Sequence, residues 1–472
     1  MFAFPIHQAS AHVVVAREKQ IHRRHSAAAD RPWGRFRPAP ESLFRHHDFL
    51  KLWSAQTVSQ LGTQVTGFAL PMVAILWLHA SALQVGALAT LQLLPFALIG
   101  LPAGVWVDRL PRRPILIIGD LGRAALLVTI PLAWALGSLT LWQLYLVGFG
   151  TGVLTVFFDI AWAAYLPSLV DRSRLFEGNS RMELTRSGAQ MTGPIVAGEL
   201  IHLIQAPAAI VVDTLSFLGS VMFLSRIRKA EPPIRREFGS SARMRDEVRE
   251  GLRYVLRHEL LLPIAMTTAL SNLSLSMGGA VYMIYVLRVL RLPVGMVSVV
   301  LGLGNLGFFI GAMTARRIAR RIGLGRTIVA AAATFGVPVM LVLAAPAGPR
   351  AVPFLVASGV VGSFGSVAYG INQVSLRQSV TPDALLGRMT ATMRFLVMGV
   401  MPVGSLVGGI LATTFEPRTT LWITAVIASV AFLPVLLSRV AQRESEGCLE
   451  VARELDVETA APLAIMADYS SV

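Results

Sequence analysis

A chain of 472 residues that is 54% hydrophobic and only 15% charged has too little polar surface for a water-soluble globule, so its surplus apolar area belongs against lipid. The net charge of +15 raises nucleic acid as a partner, but a basic nucleic-acid binder does not carry a dozen apolar runs; the charge reads as loop charge that orients membrane helices. The single cysteine, Cys448, excludes disulfides and cysteine-based metal sites.

Residues 1–45 are polar, rich in His and Arg, and interrupted by Pro32, Pro38 and Pro40; the basic residues follow the short apolar patch at Val13 instead of preceding it, which is not the order of a signal peptide. The segment reads as a disordered cytoplasmic tail or as a start codon assigned too early. From Phe49 onward come apolar runs of bilayer length, predicted as helices near 49–78, 83–106, 114–136, 140–166, 178–202, 207–226, 259–287, 294–315, 326–346, 351–376, 386–414 and 420–439. The fold class expected is therefore an all-α membrane protein of twelve transmembrane helices. Residues 46–228 and 259–440 form two six-helix bundles, joined by a linker at 229–258 and followed by a second tail at 441–472. In the linker, Met244, Val248, Leu252 and Leu256 draw one apolar stripe on a charged helix, which suits a connector or a membrane-surface helix equally.

Alternate loops hold the arginines: Arg109, Arg112 and Arg113; Arg172 and Arg174; Arg316, Arg317, Arg320 and Arg321. The opposite loops hold little beyond Arg288, Arg291, Arg350 and Arg418. By the positive-inside rule the first set and both termini are cytoplasmic. The halves also repeat: Gly104 matches Gly311, Pro194 matches Pro402, and Arg186 and Arg394 each precede their proline by eight residues.

The stretch Gly104-Val-Trp-Val-Asp108-Arg109-Leu-Pro-Arg112-Arg113 resembles the loop signature of the major facilitator superfamily. Gly188 with Gly193-Pro194-Ile-Val-Ala-Gly198 resembles the fifth-helix motif of its antiporters. Leu-Gln-Leu-Leu-Pro95-Phe, Asp213-Thr-Leu-Ser-Phe-Leu and Gly387-Arg-Met with Pro402-Val-Gly extend the likeness to the drug:proton antiporter branch, which contains the enterobactin exporter and macrolide efflux proteins. The resemblance implies two pseudo-symmetric bundles and export of small amphiphilic molecules, drug-like or siderophore-like, by alternating access against proton entry. It implies no cofactor, no enzymatic activity, a monomer, and a bacterial inner-membrane location with small-molecule substrate, protons and bilayer as partners. Two departures stand out: Gly62-Thr63 lacks the acid that relatives often carry after that glycine, and Ala315 stands where the first loop copy has Asp108. An importer or facilitator of a metabolite, or a non-transporting membrane sensor, is the alternative.

Charge within a membrane helix calls for a partner or water. Asp120 with Arg123 and Glu183 with Arg186 have pairing spacing, and Asp159 approaches the same level. Together with Asp108, Arg109, Arg112 and Arg113 they form one ionic layer. Either the charges satisfy one another and hold the first half together, or Asp108 also pairs with the second half near Arg394 and latches the outward-facing state. Asp213, with no basic partner in its own helix, and Glu199 are the candidates for proton coupling, with a hydrogen bond to a neighbouring Ser or Thr as the alternative for Asp213. Gln56, Gln60 and Gln64 on the first helix, and Thr268, Asn272 and Ser276 on the seventh, make matched polar stripes that face either a shared substrate cavity or packing seams. Asn305, Asn372 and Gln373 join them as cavity candidates. Gly193, Pro194, Gly198 and Pro402 are expected to bend their helices. No metal site and no Walker-type phosphate loop is expected.

Overall fold

A computed structural model describes residues 43, 46–170, 175–229, 231 and 241–441. The expected tails at 1–45 and 441–472 lie almost wholly outside these residues. From Asp48 onward the chain forms one unit.

The helices follow the apolar runs closely. They are α1 (His47–Met72, continuing as a π-helical turn Val73–Trp77), α2 (Ala82–Asp108), α3 (Arg112–Ala135), α4 (Leu141–Leu169), α5 (Leu175–Ile204) and α6 (Ala206–Ser225). The linker helix α7 (Ser241–Arg257) precedes α8 (Leu261–Ile284, with a π-helical turn Tyr285–Val289), α9 (Val294–Ile322, broken at Asn305) and α10 (Leu324–Ala344). The last three are α11 (Val352–Ser379), α12 (Asp383–Thr414) and α13 (Pro417–Leu436). Ten of these are long and apolar enough to cross a membrane. The two expected spans outside that number are α1 and α5, which carry the glutamine stripe and the Glu183–Arg186 and Glu199 charges. The two prolines of the expected bends, Pro194 and Pro402, sit inside unbroken helices.

Internal repetition is visible in the backbone. The π-turn ending α1 and the one ending α8 each run into a left-handed non-glycine residue, His79 (φ 50) and Arg291 (φ 57). Contacts repeat in the same register. Gln64 packs on Gly193 as Ser276 packs on Gly404; Gly198 meets Ser298 as Gly409 meets Gly86; Gln92 lies on Gly148 as Gly304 lies on Gly359. These pairs are 211 or 212 residues apart. The pairing of Gly104 with Gly311 and Pro194 with Pro402 is thus about one helical turn out of the register that the contacts define. Shared residue types drew that match, whereas steric need selects which glycines touch a neighbour.

Among the described residues, the basic turns at 109–113, 316–326 and 377–388 fall at one end of the bundle. At the other end, one apolar cluster runs through both halves, taking Phe68, Leu88, Ile130 and Ile210 from the first and Val281, Val300, Val342 and Leu421 from the second. Helices α2 with α12 and α5 with α9 form the crossings between halves. A second cluster, at the basic end, draws its residues from α7 and the second half. There α7 docks on α12: Gly251 meets Thr392 and the Arg388 carbonyl, Arg388 pairs with Glu250, and the Tyr254 hydroxyl donates to the Val380 carbonyl at 3.2 Å. Val255 is buried in this contact while Leu256 stays exposed, so the contact face is offset from the stripe expected from sequence. Met244 and Val248 have side chains outside the described residues.

Candidate functional site

Ten or eleven residues in from the basic end, roughly 15 Å at the helical rise, four helices bring charges to one level. They are Arg123 on α3, Asp159 on α4, Arg186 on α5 and Arg394 on α12. Asp159 lies within electrostatic reach of the other three. Arg394 belongs to the second half, so the cluster spans the two bundles, and Asp159, Arg186 and Arg394 are all exposed where it does so. The expected partner of Arg394 was Asp108; Asp108 and Glu183 have side chains outside the described residues, and Asp159 is the acid that reaches Arg394.

Beneath this exposed group is a buried one. Asp120 is fully buried and pairs with Arg123 on the same helix. The Arg123 guanidinium is held between two rings, 4.2 Å from the centre of Phe158 and 4.3 Å from that of Phe217. Cation–π contact on both faces gives a desolvated guanidinium the interaction it loses with water. Phe158 and Phe217 escaped the sequence reading, because an aromatic in an apolar helix carries no signal until its neighbour is known. Asp213 on α6 is 1% exposed and accepts a hydrogen bond from the Ser216 hydroxyl at 2.9 Å, with Thr66 beside it. A Cβ on Gly62 would run into this carboxylate, which explains a glycine there. Glu199, near the far end of α5, is exposed.

The loop arginines close helix ends within the first half. Arg113 donates through Nε to the Leu224 carbonyl at 3.0 Å and through its terminal nitrogen to the Ser225 carbonyl, capping α6. Its backbone N–H and that of Arg112 donate to the two carboxylate oxygens of Glu231 at 2.7 and 2.8 Å. A carboxylate there satisfies two orphan donors of α3 and meets the positive end of its dipole. Glu231 was missed because it stands in a linker far along the chain. Arg109 is exposed.

Of the expected cavity stripes, the second is engaged in helix contacts. Thr268 bonds to the Tyr369 hydroxyl at 2.8 Å, Asn272 donates to the Val397 carbonyl of α12 at 3.0 Å, and Ser276 packs on Gly404. In the first stripe, Gln64 packs on Gly193, Gln60 is half-buried, and Gln56 has a buried carbonyl oxygen without a hydrogen bond among the described residues. One residue over from the stripes are exposed positions: Thr63 and Gly67 on α1, and their repeat mates Leu275 and Gly279 on α8. Asn305 donates across the halves to the Gln190 carbonyl, Asn372 to Ala368 in its own helix, and Gln373 accepts from Arg377 at 3.1 Å.

Further joins between the halves lie toward the end opposite the basic loops. Gly198 meets Ser298, Gly86 approaches Gly409, and the Thr90 hydroxyl donates to the Pro402 carbonyl at 3.1 Å. Arg288, on the last turn of α8, donates to the Ala80 and Ile75 carbonyls of the first half at 3.2 and 3.4 Å. Gly198 and Pro402 thus mark where the bundles touch. Among the described residues no group of three or more His, Cys, Asp or Glu could hold a metal ion.

Comparison with known proteins agrees with this architecture. Residues 52–347 match the family described as Major Facilitator Superfamily. Curated relatives are an uncharacterized MFS-type transporter YfiS of Bacillus subtilis, 25% identical over 245 residues (50% of this chain, 56% of the relative), and macrolide efflux protein A of Streptococcus pyogenes, 28% identical over 183 residues (38% and 44%). The chain thus spans about half the length of these relatives. The multidrug efflux pump Tap of Mycolicibacterium fortuitum is 26% identical over 365 residues, 74% of this chain and 87% of the pump. Among solved structures, a bacterial homologue of the iron transporter ferroportin in its inward-facing state superposes with a TM-score of 0.69 at 17% identity, over 85% of this chain and all of that one. The nucleoside transporter NupG gives 0.70 at 12% identity, over 83% and 99%.

Proposed function

From a chain that belongs to the major facilitator superfamily, we propose a secondary active exporter of small amphiphilic molecules that works by alternating access against entering protons. In this reading the basic end and both termini lie on the cytoplasmic side of a bacterial inner membrane, which the arginine-rich loops support. The arrangement then corresponds to an inward-facing state: bundles sealed toward the outside at the Gly198–Ser298 and Gly86–Gly409 crossings, and parted toward the cytoplasm where Asp159, Arg186 and Arg394 are exposed.

The observation that carries the reading is this cluster, because its members belong to both halves. A carboxylate in reach of an arginine on the opposite bundle gives a proton a means of acting on bundle position. With Asp159 charged, attraction to Arg394 favours approach of the halves on the cytoplasmic side. Protonation removes that attraction. Asp213, enclosed beside Gly62 and held by Ser216, is the second candidate carrier, reached only after rearrangement of α1 and α6; Glu199, at the outer end, is the third. Asp108 with Arg109 remains the proposed latch to the second half at the loop itself. Efflux by the relatives Tap and macrolide efflux protein A supports the outward direction.

The test is efflux of a fluorescent amphiphile from cells and ΔpH-driven movement in vesicles. The reading expects efflux to collapse on addition of a protonophore. Asp159→Asn is expected to lose at least tenfold in ΔpH-driven rate while downhill exchange survives. Net accumulation into cells, or efflux indifferent to the proton gradient, overturns it.

A further inference from the structure

The two halves share one plan, yet the second contains a cavity walled at positions where the first carries larger side chains. A cavity of about 500 Å3 lies inside the second bundle, walled by α8, α9, α10, α11 and α13. The repeat register explains its origin. At its wall stand Gly278, Gly304, Gly362 and Ala428, where the first half has Thr66, Gln92, Thr151 and Phe217. In the first half those larger side chains are in contact: Gln92 packs on Gly148, and Phe217 covers Arg123. Their replacement by glycine and alanine removes bulk at four neighbouring points without changing the helix paths.

The chemistry of the wall selects what enters. It contains no Asp, Glu, Lys, Arg or His. Its hydroxyls are largely committed: Ser274 donates to the Thr424 carbonyl, Ser358 to Pro338, Ser363 to Gly304 and Thr424 to Thr420. The Tyr282 hydroxyl has no hydrogen bond among the described residues, although Tyr282 lines the cavity. Apart from Ser271, Ser366 and Asn305, whose amide donates to the Gln190 carbonyl, the remaining lining is aliphatic and aromatic, including Met283, Phe308 and Phe335. Leu275, Gly279 and Ser366 line the cavity and are exposed, which marks its mouth. An ion entering here would lose its hydration with no counter-charge in return, whereas an apolar body with one hydrogen-bonding group is matched by the wall and by Tyr282.

We infer that this cavity in the second bundle is a binding site for an uncharged, largely aromatic amphiphile, which makes its hydrogen bond to Tyr282 and enters past Gly279 and Ser366. The assignment of ligand class rests on the exporter reading above, but occupancy of the cavity is measurable without transport.

The symmetry supplies the control. Gly279 and its repeat mate Gly67 are both exposed, and a Cβ at either meets nothing within 4 Å, so a large side chain at each is tolerated by the helix. Binding is read from the fluorescence of the neutral aromatic amine N-phenyl-1-naphthylamine with the full chain in lipid nanodiscs, corrected against empty nanodiscs. Wild-type protein is expected to bind the probe saturably. Gly279→Trp is expected to weaken binding at least tenfold and Gly67→Trp less than twofold. Ser366→Phe, on a different helix, should reproduce the Gly279→Trp loss, and each variant is checked for a monodisperse peak. The cationic dye ethidium should fail to displace the probe. Equal losses at Gly279 and Gly67 would place the probe in the space between the bundles and overturn the inference. So would unchanged binding in both Gly279→Trp and Ser366→Phe, or no saturable binding above empty nanodiscs. Failure of proton-driven efflux with these binding results intact would sink the exporter reading alone.

Discussion

The first bundle and the second have the same helix path and opposite interiors. At the level where the first holds Asp120 and Arg123, the second holds Ala332 and Phe335 in the repeat register. The Arg123 guanidinium lies over Phe158; at the matching place the Phe335 ring meets the Tyr369 ring edge-on, with centroids 5.3 Å apart. Asp213 answers to Thr424, and Asp159 to Gly370. The loop acid shows the same bias, since in the contact register Asp108 of the first half falls on Arg320. One half keeps charge; the other keeps space. Duplication leaves each copy free to specialise as long as the crossings survive, and both halves retain a glycine there at Gly198 and its mate Gly409.

The sharpest way to break this comparison is to remove one member of the buried pair. Arg123→Ala leaves the buried Asp120 without its ionic partner, a loss of about 3–5 kcal/mol. It should appear as a large drop in the melting temperature of the purified protein. Copying the second half's solution with Asp120→Ala and Arg123→Phe together is expected to restore most of that stability without restoring transport. Recovered transport would reduce the cluster to packing. Next come the crossings. Gly198→Leu and Gly409→Leu should each cut efflux about tenfold, equivalent to ~1.4 kcal/mol, by wedging the outer seal open. Because the two contacts are repeat mates, a loss at only one of them would show that the halves do not share the gate equally. Arg288→Ala removes two hydrogen bonds to first-half carbonyls at that seal, and a smaller effect, severalfold in efflux rate, is expected. Last, Glu231→Ala removes a cap from α3 at a cost of about 1 kcal/mol, read as a shift of a few degrees in melting temperature.

The spans were legible because a membrane imposes length and apolarity together, so α3 or α11 could be bounded within a few residues from the chain alone. The existence of a repeat was legible too. Its register was not, because Pro194 and Pro402 attract the eye by identity, whereas the contacts select Gly198 with Gly409 and Gly193 with Gly404. The polar stripe on α8 was ambiguous for a similar reason: Asn272 satisfies itself on a helix carbonyl as readily as on water or substrate, and sequence does not show which way the helix is rolled. A one-residue roll moves the exposed face to Leu275 and Gly279. The ionic cluster was legible residue by residue, since charge in apolar helices is conspicuous. Its grouping was not, because Asp159 and Arg394 come within electrostatic reach only through the fold. The cavity left no mark in the chain, for it consists of side chains that are missing.

The linker ties these two unlike bundles together at defined points. Glu231 grips the start of α3 in the first, and Gly251 with Glu250 fastens α7 to α12 in the second. Between Glu231 and the start of α7 at Ser241 lie nine residues, so the fully extended reach from one to the other is roughly 35 Å. The connector is therefore a leash of fixed length. However wide the mouth at the basic end swings, that reach is its limit, and a wider excursion must first pull Glu231 from its helix or α7 from its dock.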